Sequence, residues 1–113
     1  MPGTPFAAVS RSQGNLNIID LTGDIDRNAK EAMEAAYAEL EGGGPVVLNF
    51  TDVDYINSTG IAVIVGLLAR ARADGRALRA WGLSPHYREI FQITRLADFM
   101  TIYDTEPAAL AVD

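Results

Sequence analysis

Residues 45–61 read PVVLNFTDVDYINSTGI, and they join a strand signal to the start of a helix. The segment PVVLNF is short, apolar and β-branched, which is typical of a buried central strand in a parallel sheet. The polar segment TDVDYIN predicts a turn. A helix is expected to begin at Ser58 or Thr59 and to run to about Asp74, where Gly75 stops it. Because function in such sheets concentrates where strands lead into helices, this junction is the first candidate site.

The rest of the chain alternates in the same way. Strands are expected over residues 6–12, 16–21, 77–83 and 99–103, and helices over 28–41, 86–93 and 106–111. Asn28 with Glu31 has the spacing of a capping box, and Ser84 precedes Pro85 as a helix cap. The order β-β-α-β-α-β-α-β-α predicts an α/β fold, with a mixed, mostly parallel sheet of about five strands and about four helices.

Length and charge limit the classes of protein. The 113 residues predict a single domain over 1–113, with its core at about 6–112. The net charge of −6 disfavours binding to nucleic acid or to anionic membranes. The longest apolar run, residues 60–69, is half of the roughly 20 residues that span a bilayer. The N-terminal residues do not resemble a secretory signal. These features predict a cytoplasmic protein without membrane insertion.

The hydroxyl of Ser58 lies at the predicted helix start, where free N–H groups and the helix dipole favour a capping oxygen or a phosphate. Gly60 is expected to leave the backbone open to another protein's active site. The alternative is that Ser58 only caps the helix. Thr59 and Asn57 have the same ordinary explanation, since both favour caps and turns.

The predicted second helix is apolar around its whole circumference over residues 61–68. Such a helix is either fully buried or offers one face to a partner, which includes a second copy in a homodimer. The alternative is that loops or the terminal helix cover it. A basic cluster follows, which is either a solvated helix end or a docking surface; it consists of Arg70, Arg72, Arg76 and Arg79.

The sequence gives little support for metal binding or catalysis. Four acidic residues in two predicted turns would form a cation site if the turns met, but turn chemistry is the favoured interpretation; they are Asp24, Asp26, Asp52 and Asp54. There is no cysteine, no G-x-S-x-G elbow and no phosphate-binding glycine loop. The enzyme alternative is a small hydrolase that uses Ser58 or His86. No cofactor and no resident metal are predicted.

Several motifs occur in a known order. The segment 21–26 (LTGDID) looks like L-x-G-[ED]-[LIF]-D, 46–50 (VVLNF) looks like I-V-L-[DN]-[LF], and 55–61 (YINSTGI) looks like [YF]-[ILMV]-D-S-[ST]-G-[IL]. Residues 83–85, 96–103 and 106–110 match the C-terminal pattern. From about Phe6 to Val112 the chain therefore resembles the STAS domain family, and within it the bacterial anti-sigma factor antagonists, also called anti-anti-sigma factors.

The resemblance implies a non-enzymatic interaction protein. An anti-sigma factor with GHKL-type serine-kinase activity would phosphorylate Ser58, with Thr59 as the alternative, and a PP2C-type phosphatase would reverse it. The unphosphorylated antagonist would bind that kinase, which then releases its sigma factor. Asn57 stands where the motif has Asp, which keeps the turn and cap geometry and removes one charge. The implied partner surface consists of Gly23, Asp24, Asp26, Asn57, Ser58, Thr59, Gly60, Ile61 and Ile64.

Within the same family, another role uses no phosphorylation. The alternative to the antagonist is a STAS subunit that docks on a membrane transport ATPase or on a stressosome-type scaffold. It would use the same apolar helix.

Overall fold

A computed structural model describes residues 3–111 as a five-stranded sheet with helices on both faces. The strands lie in the spatial order β1-β2-β3-β4-β5 and span Ala7–Gln13, Leu16–Ile25, Val46–Ile56, Leu78–Trp81 and Thr101–Tyr103. The helices α1 to α4 span Lys30–Ala38, Ser58–Ala73, Pro85–Ile93 and Glu106–Leu110. Short 3-10 helices cover Arg27–Ala29 and Leu96–Asp98. Val112, the expected end of the core, lies outside the described residues.

The sheet is mixed, as the sequence predicts. The strands β1 and β2 form an antiparallel hairpin around Gly14, whose φ of 63° suits glycine. The pairs β2–β3, β3–β4 and β4–β5 are all parallel. The predicted fold class is therefore confirmed.

The main core lies between the sheet and the face formed by α1, α2 and α3. Met33, Ile64 and Phe91 from these three helices are at most 1% exposed. The ring of Phe91 packs edge-on against Phe50 of β3, with the centroids 5.7 Å apart. The opposite face of the sheet is covered by α4, where Ala109 packs in a small cluster with Ile18 and Val47. No helix within residues 3–111 is long and apolar enough to cross a membrane.

The largest difference from the sequence-based prediction is the length of β3. The segment 51–56, predicted as a turn, continues the strand and pairs with the second half of β2, from Thr22 to Ile25. Two register irregularities let the two strands stay paired to their ends. The polar side chains of Asp52 and Asp54 point to solvent, so their polarity does not prevent a strand. As a result, the two predicted turns meet at one end of the sheet.

The first helix also differs from its prediction. It begins as a 3-10 helix at Arg27, and the cap is Asp26, whose Oδ1 accepts a hydrogen bond from the N–H of Asn28 at 2.8 Å. The predicted capping box of Asn28 and Glu31 is therefore wrong. The helix ends at Ala38, before the glycines at 42–44. The start of α3 at Pro85, with Ser84 as its cap, is confirmed.

Candidate partner-binding site

The candidate site lies where β2 and β3 end side by side and α2 begins. Ile25 and Ile56 are paired across the two strands. One residue later, the N–H of Asn57 donates to the carbonyl oxygen of Ile25 at 3.2 Å. This bond fixes the first turn of α2 against the end of β2, so residues 23–26 and 57–60 form one continuous surface region.

Asn57 caps α2. Its backbone is extended, and its Oδ1 accepts hydrogen bonds from the N–H of Gly60 at 2.8 Å and from the hydroxyl of Thr59 at 2.7 Å. The alternative interpretation, in which the Ser58 hydroxyl caps this helix, is therefore wrong, because the cap lies one residue earlier. An aspartate at position 57 would place the same accepting oxygen there, so the exchange of Asp for Asn leaves the cap intact.

Because the Asn57 side chain caps α2, the Ser58 hydroxyl is not needed as the cap of this helix. Ser58 is the first residue of α2 and its side chain is exposed. Within residues 3–111, its hydroxyl takes part in no hydrogen bond, whereas the neighbouring Thr59 hydroxyl is held by Asn57. An exposed, unengaged hydroxyl at a helix N-terminus combines access for another protein with an environment that tolerates negative charge.

Gly60 is not open to solvent. It is buried, and a Cβ placed on it would lie 1.9 Å from the carbonyl oxygen of Ile25 and 2.6 Å from the carbonyl carbon. The expectation that Gly60 exposes its backbone to a visiting active site is therefore wrong. The glycine instead allows α2 to approach the end of β2 closely.

The turn on the β2 side is partly covered by the segment 3–5. The N–H of Asp24 donates to the carbonyl oxygen of Thr4 at 3.0 Å, and its carboxylate accepts from the N–H of Gly3 at 2.5 Å. Gly23 has φ of 83° and lies against Pro5, whose carbonyl oxygen would be 2.1 Å from a Cβ. Gly23 and Asp24 are therefore buried, while Asp26 keeps partial exposure.

Helix α2 has one core face and one exposed face. Ile64 is fully buried, and Ile61 is half-buried at the edge of the core. The implied partner contact at Ile64 is therefore corrected, since its side chain belongs to the interior. The same correction applies to Gly23, Asp24 and Gly60, which shape the site from inside. The accessible members of the implied surface are Asp26, Asn57, Ser58, Thr59 and Ile61.

One contact of the site has no signal in the sequence. The hydroxyl oxygen of Tyr87, in α3, accepts the N–H of Ile56 at 2.9 Å and so holds the last residue of β3. The two residues are 31 positions apart, and neither has a pattern that would pair them. Tyr87 therefore positions the strand end that leads into Asn57.

The other candidate chemistries are not brought together. Among residues 3–111, no group of three or more carboxylate or histidine side chains lies close enough to hold a metal ion. The predicted alternative of a cation site at the acidic turns therefore gains no support. His86 is exposed on α3 and stacks edge-on with Tyr87, with the ring centroids 4.9 Å apart.

Replacing Asn57 with alanine is expected to destabilise the protein by about 1 kcal/mol, because two donors lose their common acceptor. Replacing it with aspartate should keep the cap and add a favourable charge–dipole interaction of roughly 0.3–1 kcal/mol. Urea unfolding followed by circular dichroism measures both changes. Asn28→Ala is the matched control, since the Asn28 side chain is exposed and caps no helix within residues 3–111. Equal stability of Asn57→Ala and Asn28→Ala would contradict the assignment of the cap.

Comparison with known proteins agrees with the fold. Residues 7–109 match the STAS domain family. An anti-sigma-B factor antagonist of Listeria monocytogenes is 33% identical over 92 residues, which cover 78% of this chain and 79% of that protein. An anti-sigma factor antagonist from Mycobacterium paratuberculosis superimposes with a TM-score of 0.78 at 16% identity, covering 94% of this chain and 92% of that one. The Bacillus protein SpoIIAA, solved in its phosphorylated form, superimposes with a TM-score of 0.63 at 19% identity, covering 92% of this chain and 96% of that one.

A mixed five-stranded sheet with helices on both faces, together with the match over residues 7–109, defines the class of domain. The chain belongs to the STAS domain family.

Proposed function

We propose that this protein is an anti-sigma factor antagonist and that Ser58 is its switch. The single observation that carries the switch is the Ser58 hydroxyl, which is exposed at the start of α2 and engaged by no other group within residues 3–111. The relatives that are named anti-sigma factor antagonists support the general role. The partner is then an anti-sigma factor, and the site of action is the cytoplasm.

The proposed partner is a GHKL-type kinase that also holds a sigma factor. In the binding state, Ser58 is unmodified and the antagonist occupies the kinase, so the sigma factor is released. In the off state, the Ser58 oxygen has attacked the γ-phosphorus of ATP, the bond to ADP has broken, and the hydroxyl proton has left to a base on the kinase. A PP2C-type phosphatase hydrolyses the phosphoester with water and restores Ser58.

The geometry favours Ser58 over Thr59 as the acceptor. The Thr59 hydroxyl donates to Asn57 at 2.7 Å, so its phosphorylation would remove a hydrogen bond at the cap. Ser58 loses no such bond. A phosphate on Ser58 also lies beside the N–H groups of the first turn of α2, which favour an anion.

Phosphorylation of the wild-type protein by its anti-sigma kinase is expected to add one phosphate, which intact-mass spectrometry detects. The Ser58→Ala variant should take up none, and the Thr59→Ala variant should be modified at close to the wild-type rate. Thr59→Ala is the matched control, because it removes the neighbouring hydroxyl and leaves the Asn57 cap on Gly60 in place. An unmodified wild type, or a Ser58→Ala protein that still gains a phosphate, would reject Ser58 as the switch.

A further inference from the structure

The basic residues of this acidic chain are distributed unevenly between structural contacts and solvent. Of the nine Lys and Arg residues, three form ion pairs, namely Arg11, Arg88 and Arg95. Two more, Arg76 and Arg79, donate hydrogen bonds to backbone carbonyl oxygens. Within residues 3–111, the other four have no carboxylate at ion-pair distance, and all four are exposed; they are Arg27, Lys30, Arg70 and Arg72. The guanidinium of Arg70 lies over the ring of Tyr37, 4.7 Å from its centre, and this contact leaves its charge uncompensated.

These four cations all flank one helix. Arg27, Lys30 and Arg70 line a groove of about 460 Å³ between α1 and α2. Arg72 lines a second groove, of about 830 Å³, between α2 and the segment that joins α3 to β5. The guanidinium of Arg72 lies 5.6 Å from the ring centre of Phe99, whose side chain is 55% exposed. The charges that remain unpaired therefore surround the solvent-facing side of α2.

Between the two grooves, α2 presents an apolar ridge. Its exposed residues are small, so a partner backbone can approach closely, and the largest of them, Val65, is 46% exposed. The ridge residues recur on one side of the helix and are Ala62, Val65, Gly66 and Ala69. One carboxylate, Glu34, lines the α1–α2 groove and partly offsets its positive charge. We call the ridge with its four flanking cations the α2 surface.

We propose that the α2 surface docks an acidic, amphipathic helix of a partner protein. The inference rests on the proposed function and deepens it, because it names the chemistry of the partner segment that meets the antagonist. An apolar stripe on the partner would cover the small-residue ridge, and carboxylates on both sides would meet Arg27 and Lys30 on one groove and Arg72 on the other. This complementarity is local, since the chain as a whole carries a charge of −6.

The charges also connect this surface to Ser58. Thr59, the residue after Ser58, lines the same groove as Arg27 and Lys30, so the phosphorylation site lies at one end of the α2 surface. A phosphate of about −1.5 to −2 charges would offset a large part of the local positive potential. An acidic partner is then released by the phosphate, whereas a basic partner would be attracted.

The test uses the full chain and two synthetic helical peptides of the same length as α2. Both peptides carry the same leucine and alanine stripe, and their polar faces consist of glutamate in one and of lysine in the other. Fluorescence anisotropy is expected to give about tenfold tighter binding of the glutamate peptide, a difference of about 1.4 kcal/mol. The difference should shrink as salt rises from about 0.01 M to 1 M, because exposed charges are screened over shorter distances. Amide NMR shifts should map to Ala62, Val65, Gly66 and Ala69.

Two variants with the same net charge test whether the preference for the glutamate peptide depends on the α2 surface. The triple variant Arg27→Gln, Lys30→Gln and Arg72→Gln should lose the preference for the glutamate peptide. The control variant Val9→Glu, Ser12→Glu and Gln13→Glu changes the net charge by the same amount at exposed positions of β1, which lines neither groove, and it should keep the preference. Equal binding of the two peptides, a preference for the lysine peptide, or NMR shifts confined to residues outside the α2 surface would overturn the proposal.

The peptide experiment needs no kinase, so its result is independent of the proposed function. If the glutamate peptide binds at α2 and Ser58 is not phosphorylated, the Ser58 switch fails and the acidic-partner surface stands. If Ser58 is phosphorylated and the peptides bind equally, the switch stands and the surface proposal fails.

Discussion

Phosphorylation of Ser58 is expected to lower the affinity for the anti-sigma kinase on the order of a hundredfold or more. A phosphate about 4 Å from one partner carboxylate is repelled by about 4 kcal/mol per unit charge at an effective dielectric constant of 20. Each 1.4 kcal/mol corresponds to about a tenfold change in the dissociation constant. For a phosphate of about −1.5 to −2 charges the repulsion is about 6–8 kcal/mol, and half of that, left after screening, still exceeds the roughly 2.8 kcal/mol of a hundredfold change. Isothermal titration calorimetry with phosphorylated and unmodified protein measures the change directly.

The same switch can be tested without the kinase reaction. Ser58→Asp adds one negative charge, less than a phosphate does, so it should weaken kinase binding to a smaller extent. The control is Ser84→Asp, because Ser84 is an exposed serine at the start of α3, and aspartate can take over its cap on Tyr87. This variant adds the same charge at a different helix start. If both aspartates weaken binding equally, the effect is one of net charge and the switch is not at Ser58.

Phosphorylation should act without refolding the antagonist. The added group meets the positive end of α2, where several N–H groups have no partner within the helix. We therefore expect an unchanged circular dichroism spectrum and an unchanged or slightly higher stability of the phosphorylated protein. A loss of structure on phosphorylation would point to a different mechanism, in which the domain unfolds instead of repelling its partner.

Gly60→Ala is expected to destabilise the protein by about 1–3 kcal/mol or more, the range for forcing extra atoms into a packed interior. The added Cβ would lie 1.9 Å from the carbonyl oxygen of Ile25, a backbone atom that cannot rotate away as a side chain could. The first turn of α2 must then move away from β2, which also strains the hydrogen bond from Asn57 to Ile25. Urea unfolding measures the loss of stability.

Gly66→Ala is the matched control in the same helix. Gly66 is exposed, and a Cβ there would meet no atom of the described residues 3–111 within 4 Å. Alanine is about 1 kcal/mol better than glycine inside a helix, so this variant should be more stable than the wild type. Both variants replace a glycine of α2 with alanine, and their effects on the free energy of unfolding are expected to have opposite signs. Stabilisation by both would mean that Gly60 does not pack against Ile25 as described.

The periodicity of the chain was sufficient to predict the order of the elements and the mixed sheet. The start of α3 followed from Ser84 and Pro85, since a cap and a proline act through local geometry. The end of β3 did not follow, because Asp52 and Asp54 are typical turn residues and the strand conformation of this segment comes from pairing with β2. The pattern of apolar and polar residues within one segment does not show which distant segment it pairs with.

The candidate site could also be predicted only in part, because some of its contacts join residues that are distant in the sequence. Its location at the junction after β3 follows from the strand–helix order. The roles of its residues depend on distances of tenths of an ångström, which decided that Asn57 caps the helix and that Gly60 is covered by Ile25. The covering of Gly23 and Asp24 by residues 3–5 depends on a contact across the hairpin, and the sequence has no local signal for it.

The position of Ser58 in a helix affects how a modifying enzyme would recognise it. Ser58 belongs to α2, and the first turn of that helix is held by Asn57 and by the end of β2. An isolated peptide with the sequence of residues 53–63 would have to nucleate the helix by itself, which is unfavourable in water for so short a segment. A modifying enzyme would therefore recognise the folded first turn of α2. Unfolded copies of this chain would not be modified, although they contain the same linear motif.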